Sequence, residues 1–115
     1  MKKVAILGST GSIGIQALDI LSRYSQYEFI AFSANNNIDL LEKQALKYRP
    51  SKVGVINKEK AAVLRERLPK EISVLSGKDC LVELATLPEI DVVLVSVVGI
   101  SGLEATLAAL KEGKD

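Results

Sequence analysis

The chain has 115 residues, 48% of them hydrophobic, and its 15 Lys and Arg against 14 Asp and Glu leave a net charge of +1. That length supports one domain with a real core, and the near-neutral balance gives no electrostatic case for nucleic acid or an anionic membrane as partner. With no histidine and a single cysteine, Cys80, the usual zinc constellations, Ser-His-Asp and Cys-His pairs and any intrachain disulfide are excluded.

Met1-Lys2-Lys3 leads into Val4-Ala5-Ile6-Leu7, a short apolar strand of the kind buried in a parallel sheet. The apolar run is too short for a secretory signal, and glycine breaks it. Gly8-Ser9-Thr10-Gly11-Ser12-Ile13-Gly14 follows, after which Ile13, Ala17, Ile20, Leu21 and Tyr24 recur at helical spacing. Phe29-Ile30-Ala31-Phe32 reads as the second strand. Asn37 caps a helix carrying Leu40, Leu41, Gln44, Ala45 and Tyr48, stopped by Pro50. Val53-Gly54-Val55-Ile56 is the third strand, and Asn57 caps a helix with Ala61, Leu64 and Leu68, ended by Pro69. Ile72-Ser73-Val74-Leu75 is a short strand, and a brief helix spans residues 79–86. Within it Cys80, amid Leu81, Val82 and Leu84, reads as a small buried apolar residue; a lone cysteine fits a reducing compartment. Asp91-Val92-Val93-Leu94-Val95-Ser96-Val97-Val98 is the most apolar strand, hence expected to be central. Ser101-Gly102-Leu103-Glu104 is a capping box opening a last helix with Leu103, Leu107 and Leu110.

This alternation of strand and helix predicts an α/β fold, a Rossmann-like, doubly wound, mostly parallel sheet flanked by helices. The expected order places the third, second and first strands and the Asp91 strand side by side, with the 72–75 strand outside the third. No stretch approaches transmembrane length. A further strand is expected after Lys114-Asp115, so residues 1–115 read as one nucleotide-binding domain truncated at its C-terminal end. The alternative is a small flavodoxin-sized domain.

A ligand belongs beyond the carboxyl ends of the strands, where residues 8–13, 34–37 and 96–102 arrive. Gly8 allows a tight turn off the strand, Gly11 leaves the backbone open to a pyrophosphate, and Gly14 lets the helix pack closely on the sheet. Backbone N–H groups at the helix start face the phosphates, aided by the helix dipole. The Thr10 and Ser12 hydroxyls are placed to bond phosphate, to serve as turn and N-cap groups, or to do both. At the end of the second strand, where an NAD site expects a carboxylate, stand Asn35, Asn36 and Asn37. They present amides and no repulsion to a 2′-phosphate, or they form a turn and helix cap. Gly99 and Gly102 either keep the last turn open for the nicotinamide half or serve the backbone alone. Asp39, Asp79, Glu83 and Asp91 show no paired spacing for a metal, and Lys58, Lys60, Arg65 and Arg67 read as a solvated helix face.

Ile6-Leu7-Gly8-Ser9-Thr10-Gly11-Ser12-Ile13-Gly14 resembles the N-terminal signature of the 1-deoxy-D-xylulose 5-phosphate reductoisomerases. Residues 34–40, Val74-Leu75-Ser76-Gly77, residues 98–103 and residues 108–114 agree in place and character, so the likeness covers essentially the whole chain. The resemblance implies an NADPH-binding domain of a cytoplasmic bacterial enzyme, a homodimer. That enzyme rearranges and reduces a sugar phosphate, deoxyxylulose phosphate, to methylerythritol phosphate in non-mevalonate isoprenoid synthesis, with Mg or Mn. It implies that Thr10, Gly11, Ser12 and Ile13, beside Gly8, bind the pyrophosphate side of NADPH. Asn35, Asn36 and Asn37 match a cofactor segment often written Gly-Lys-Asn or Gly-Arg-Asn; Asn37 alone matches that form outright. The family's metal ligands, substrate-phosphate site and active-site loop fall beyond Asp115, so the resemblance assigns no catalytic or metal residue here. Two alternatives stay open: the NADP module of another oxidoreductase of semialdehyde-dehydrogenase type, and a non-enzymatic nucleotide-sensing domain.

Overall fold

The computed structural model describes residues 1–97 and 100–115, apart from the side chains of Ile100 and Ser101. Strand and helix alternate along them: β1 (Lys2–Leu7), α1 (Ser12–Leu21), β2 (Tyr27–Ala34), α2 (Ile38–Tyr48), β3 (Lys52–Val55), α3 (Lys58–Arg67), β4 (Ser73–Ser76), α4 (Cys80–Ala85), β5 (Val92–Val95) and α5 (Ile100–Lys111). The strands form one parallel sheet in the order β4-β3-β2-β1-β5, as the doubly wound reading expects. β1 sits between β2 and β5, with Val4 opposite Phe29 on one side and Ile6 opposite Leu94 on the other.

Right-handed crossovers dictate where the helices go. From β1 to β4 the chain steps one way across the sheet, so α1, α2 and α3 share a face; the return to β5 puts α4 and α5 on the other. Alternation along β1 divides its side chains between two cores. Val4 and Ile6 join Phe32, Leu41, Val53 and Leu64 on the first face, whereas Ala5 and Leu7 join Leu81, Leu84, Cys80 and Ala105 on the second. Each such large side chain contributes about 1.5–3 kcal/mol by leaving water. Phe29, Phe32 and Tyr48 pack ring to ring, with centroids 5.4 to 6.2 Å apart, and fix the end of α2 on β2. Asn37 and Asn57 cap α2 and α3 as expected, their Oδ1 atoms accepting from the backbone N–H of Leu40 and Lys60 at 3.2 and 3.1 Å. Cys80 is fully buried.

Four expectations need correction. In α1 the buried positions are Gly14 and Leu18, with Ala17 and Leu21 half-buried, while Ile13 and Ile20 are more than half exposed, as is Tyr24, which lies past the end of the helix at Leu21. In α5 the buried face is Gly102, Ala105 and Ala109, and Leu103, Leu107 and Leu110 point outward. Both helices lie close to backbone, where only small residues fit, so the large apolar residues take the outer face. The capping box does not start α5, because the helix begins at Ile100, ahead of Ser101. The Asp91 strand is not central: β5 ends the described sheet and its residues are half-buried. Its far side is touched by the chain end, where the Asp115 N–H donates to the Asp91 carbonyl at 3.3 Å and the Asp115 carbonyl accepts from the Val93 N–H at 2.7 Å. The predicted end of that strand at Val98, with Gly99, lies outside the described residues.

Candidate functional site

The carboxyl ends of β1, β2, β3 and β5 open on a cleft of about 400 Å³ lined by Gly8, Thr10, Gly11, Asn35, Ile56, Ser96 and Val97. Its shape begins at Gly8, whose φ of +85° turns the chain sharply off β1, a conformation that glycine adopts without penalty. The Gly11 N–H returns to the Gly8 carbonyl at 3.1 Å and closes the turn. Gly14 then lies so close to Gly8 and Ser9 that a Cβ would collide with their backbone. That contact sets α1 directly on the turn.

The start of α1 differs from those of α2 and α3. Its N-cap is Gly11, with φ −77° and ψ 168°, and no side chain bonds its first N–H groups. Neither the Thr10 nor the Ser12 hydroxyl bonds another group among the described residues, so the turn-and-cap alternative for them is not what the fold uses. Four N–H groups at a helix start need partners; that of Gly11 has the Gly8 carbonyl, while those of Ser12, Ile13 and Gly14 and the two hydroxyls have none among the described residues and suit an anion. Gly11, Ser12 and Ile13 are exposed and Thr10 is half-buried.

The loop is held from behind by side chains that the sequence reading did not single out. Ser33 Oγ accepts from the Gly8 N–H at 2.8 Å, and the Ser33 carbonyl accepts from the Ser9 N–H at 3.0 Å. Ser96 Oγ lies 2.9 Å from the Leu7 carbonyl and 3.0 Å from that of Gly8, and donates to either. Gln44 bonds Ser9 twice, at 2.8 Å each. Ser33 and Ser96 stand at strand ends, where the switch-point rule directs attention; Gln44 sits in the apolar stripe of α2 and carries no such signal.

The asparagine segment lies at the end of β2, and all three residues are exposed. Asn35 lines the cleft, and its carbonyl accepts from the Asn57 N–H at 3.2 Å, which ties the β2 and β3 loops together. Ile56, missed from sequence, enters the lining through that tie. The Asn36 carbonyl accepts from the Ile38 N–H at 2.8 Å, and its side chain makes no hydrogen bond among the described residues. Asn37 spends its Oδ1 on capping α2. Gly8, Thr10, Gly11 and Asn35 therefore meet in one cleft, with Ser12, Ile13, Asn36 and Asn37 beside it on the adjoining loops. Gly102 serves the backbone: a Cβ there would stand 2.5 Å from the Val97 carbonyl oxygen.

No titratable side chain lines this cleft among the described residues. It presents backbone dipoles, hydroxyls, an amide and apolar walls, a chemistry suited to holding a phosphate-linked, partly apolar ligand. Such a fold and loop define a dinucleotide-binding domain of Rossmann type.

Comparison with known proteins narrows the class. The sequence pattern of 1-deoxy-D-xylulose 5-phosphate reductoisomerase matches residues 4–115. The chain is 48% identical over 120 residues to the reductoisomerase of Methylococcus capsulatus and 44% identical over 116 to that of Thermoanaerobacter pseudethanolicus, covering 100% of this chain and 30% of each relative. A crystal structure of that enzyme in complex with NADPH, fosmidomycin and magnesium superposes with a TM-score of 0.93 at 32% identity, covering 99% of this chain and 29% of that one. The Zymomonas mobilis enzyme in complex with NADPH gives 0.91 at 34% identity, covering 98% and 30%. The chain belongs to the 1-deoxy-D-xylulose 5-phosphate reductoisomerase family, which displaces the semialdehyde-dehydrogenase alternative. It spans about 30% of the length of the relatives it matches.

Proposed function

We propose that residues 1–115 form the NADPH-binding domain of a 1-deoxy-D-xylulose 5-phosphate reductoisomerase. The longer enzyme reduces and rearranges deoxyxylulose phosphate with a divalent metal. The observation that carries the reading is the turn at Gly8 and the uncapped start of α1, with the Thr10 and Ser12 hydroxyls unbonded beside it. Thr10, Gly11, Ser12 and Ile13 hold the pyrophosphate through backbone N–H groups and hydroxyls, Gly8 gives it room, and Asn35, Asn36 and Asn37 face the 2′-phosphate. The residues fit this cofactor: a Cβ on Gly11 would meet only the Gly8 carbonyl oxygen, at 3.5 Å, so its outer side is open.

NADPH supplies the hydride in the whole enzyme; this chain's part is to bind and orient it. The described residues bring together no group of three potential metal ligands, and among them no acid or base lines the cleft. The resemblance assigns the metal and substrate residues of the proposed enzyme to none of the residues of this chain. The proposal includes a homodimeric, cytoplasmic enzyme, as the resemblance implies; among the described residues no helix is long and apolar enough to cross a membrane.

Titration of the chain with NADPH, followed by cofactor fluorescence and by amide NMR, tests the reading. Binding with shifts centred on residues 8–13 and 35–37 is expected, without substrate-dependent NADPH oxidation by this chain alone. Absence of binding, or shifts centred elsewhere, overturns it.

A further inference from the structure

Gln44 is a polar side chain in a helix face that otherwise packs into the core. It is 7% exposed, on α2 between Leu41 and Ala45, both fully buried. Its Oε1 accepts from Ser9 Oγ at 2.8 Å and its Nε2 donates to the Ser9 carbonyl at 2.8 Å. The amide orientation follows from chemistry: a carbonyl only accepts, so the nitrogen must face it. Ser9 is itself fully buried and lies between Gly8 and Thr10 of the cofactor loop.

The other ties on this loop come from Ser33 and Ser96 at strand ends. Gln44 adds one from a helix. That helix begins at the asparagine segment: Asn37 is its N-cap, and Gln44 lies two turns further along the same rigid rod. We propose that Gln44 is a positioning residue for the dinucleotide. By locking Ser9 to α2, it makes the pyrophosphate cradle at residues 10–13 and the 2′-phosphate loop at residues 35–37 one rigid body. The inference rests on the NADPH reading above and names a residue outside the ligand's reach. The spacing between the two phosphate sites is then built before the ligand arrives, which spares the ordering cost of binding. Ser33 and Ser96 hold the loop to the sheet; Gln44 holds it to the element that carries selectivity.

A merely structural role makes a different prediction. Loss of a buried amide pair would then lower stability and weaken every ligand alike. A positioning role singles out ligands that span both loops. Two probes separate them: NADPH, which carries the pyrophosphate and the 2′-phosphate, and adenosine 2′-monophosphate, which lacks the pyrophosphate. Calorimetric titration of the full chain with each, beside its thermal midpoint, is the experiment. Gln44→Leu leaves the buried Ser9 carbonyl without its partner and the Ser9 hydroxyl with only the longer bond to the Ser33 carbonyl, at 3.3 Å, and a fall in NADPH affinity of about tenfold or more is expected. Adenosine 2′-monophosphate should change by no more than about twofold, since the residues facing it are untouched. Gln44→Glu keeps the size and the acceptor for Ser9 Oγ but sets an oxygen against the Ser9 carbonyl, so it should fail to rescue NADPH binding.

Should Gln44→Leu not fold, Ser9→Ala decides. It deletes the hydroxyl bond and keeps the bond to the carbonyl, so a loss of roughly threefold for NADPH, and none for the monophosphate, is expected. Equal losses for both probes, or no loss for either, overturn the proposal. If the unmutated chain binds neither probe, the dinucleotide reading falls and this one falls with it; binding of both with parallel losses in the variants removes this one alone.

Discussion

Gly14 stands against Gly8 so closely that a Cβ at position 14 would overlap the Gly8 carbonyl oxygen and lie 2.7 Å from the Ser9 Cα. Both neighbours are backbone, so neither can move aside as a side chain could. Gly14→Ala should push α1 off the turn and destabilise the domain by about 3 kcal/mol or more. Urea denaturation of the two proteins measures this, and an unchanged midpoint would contradict the packing described.

Gly11 has the opposite character. Its φ of −77° suits any residue, and a Cβ would meet only the Gly8 carbonyl oxygen, at an ordinary 3.5 Å. Gly11→Val should therefore leave the circular dichroism spectrum and thermal midpoint close to those of the parent. The added methyl groups would occupy the open side where the pyrophosphate approaches. A fall in NADPH affinity of at least about tenfold is expected, the scale of a lost charge-assisted contact. Unchanged affinity would mean that the turn serves the fold alone.

Cys80 supplies a pH dependence. Burial, with Glu83 adding repulsion, pushes its thiol up from 9.0 to about 11. The unfolded thiol ionises first as pH rises through 9, while the folded one keeps its proton until about 11. The unfolded chain thus binds fewer protons in that window, and stability falls as pH rises. The loss should be on the order of 2 kcal/mol by the upper end. Cys80→Ala lacks the effect, so the stability difference between the two proteins should shrink or reverse from pH 8 to pH 11. Denaturation at both pH values checks it; a constant difference would show that the site does not hold the thiol neutral.

The sheet order was legible because apolar runs, Asn37 and Asn57 caps and Pro50 and Pro69 stops punctuate the chain locally. The glycine turn was legible because Gly8 and Gly14 have no substitute at their positions. The inward faces of α1 and α5 were not. Periodicity sends the largest apolar residues inward, yet these helices approach backbone so closely that Gly14 and Gly102 occupy the contact and Ile20 and Leu107 face out. Ile56 and Gln44 were invisible for another reason. Their places at the cleft and behind the loop depend on the Asn35–Asn57 and Ser9–Gln44 hydrogen bonds, 22 and 35 residues apart in the chain, and neither leaves a local trace.

Cofactor choice should rest on Asn36. Its backbone carbonyl is engaged with the Ile38 N–H, but its side chain is exposed and unbonded among the described residues, so substitutions there leave the cap at Asn37 intact. The nearest carboxylate along the chain, Asp39, is paired with Arg67 at 2.9 Å, which reduces its repulsion toward a phosphate. Asn36→Asp places an unpaired negative charge where the 2′-phosphate is expected, and gives the ribose hydroxyls of NADH an acceptor. NADPH binding should weaken more than NADH binding, moving their affinity ratio by roughly tenfold or more. Asn36→Lys restores the basic form common in the family and should strengthen NADPH selectively, more so at low salt because the pair is exposed. Titration of the parent and both variants with the two cofactors, at low and at physiological ionic strength, provides the measurement. If the ratio stays fixed in both variants, Asn35, Asn36 and Asn37 act only as a turn and a helix cap, and the choice between cofactors is made elsewhere.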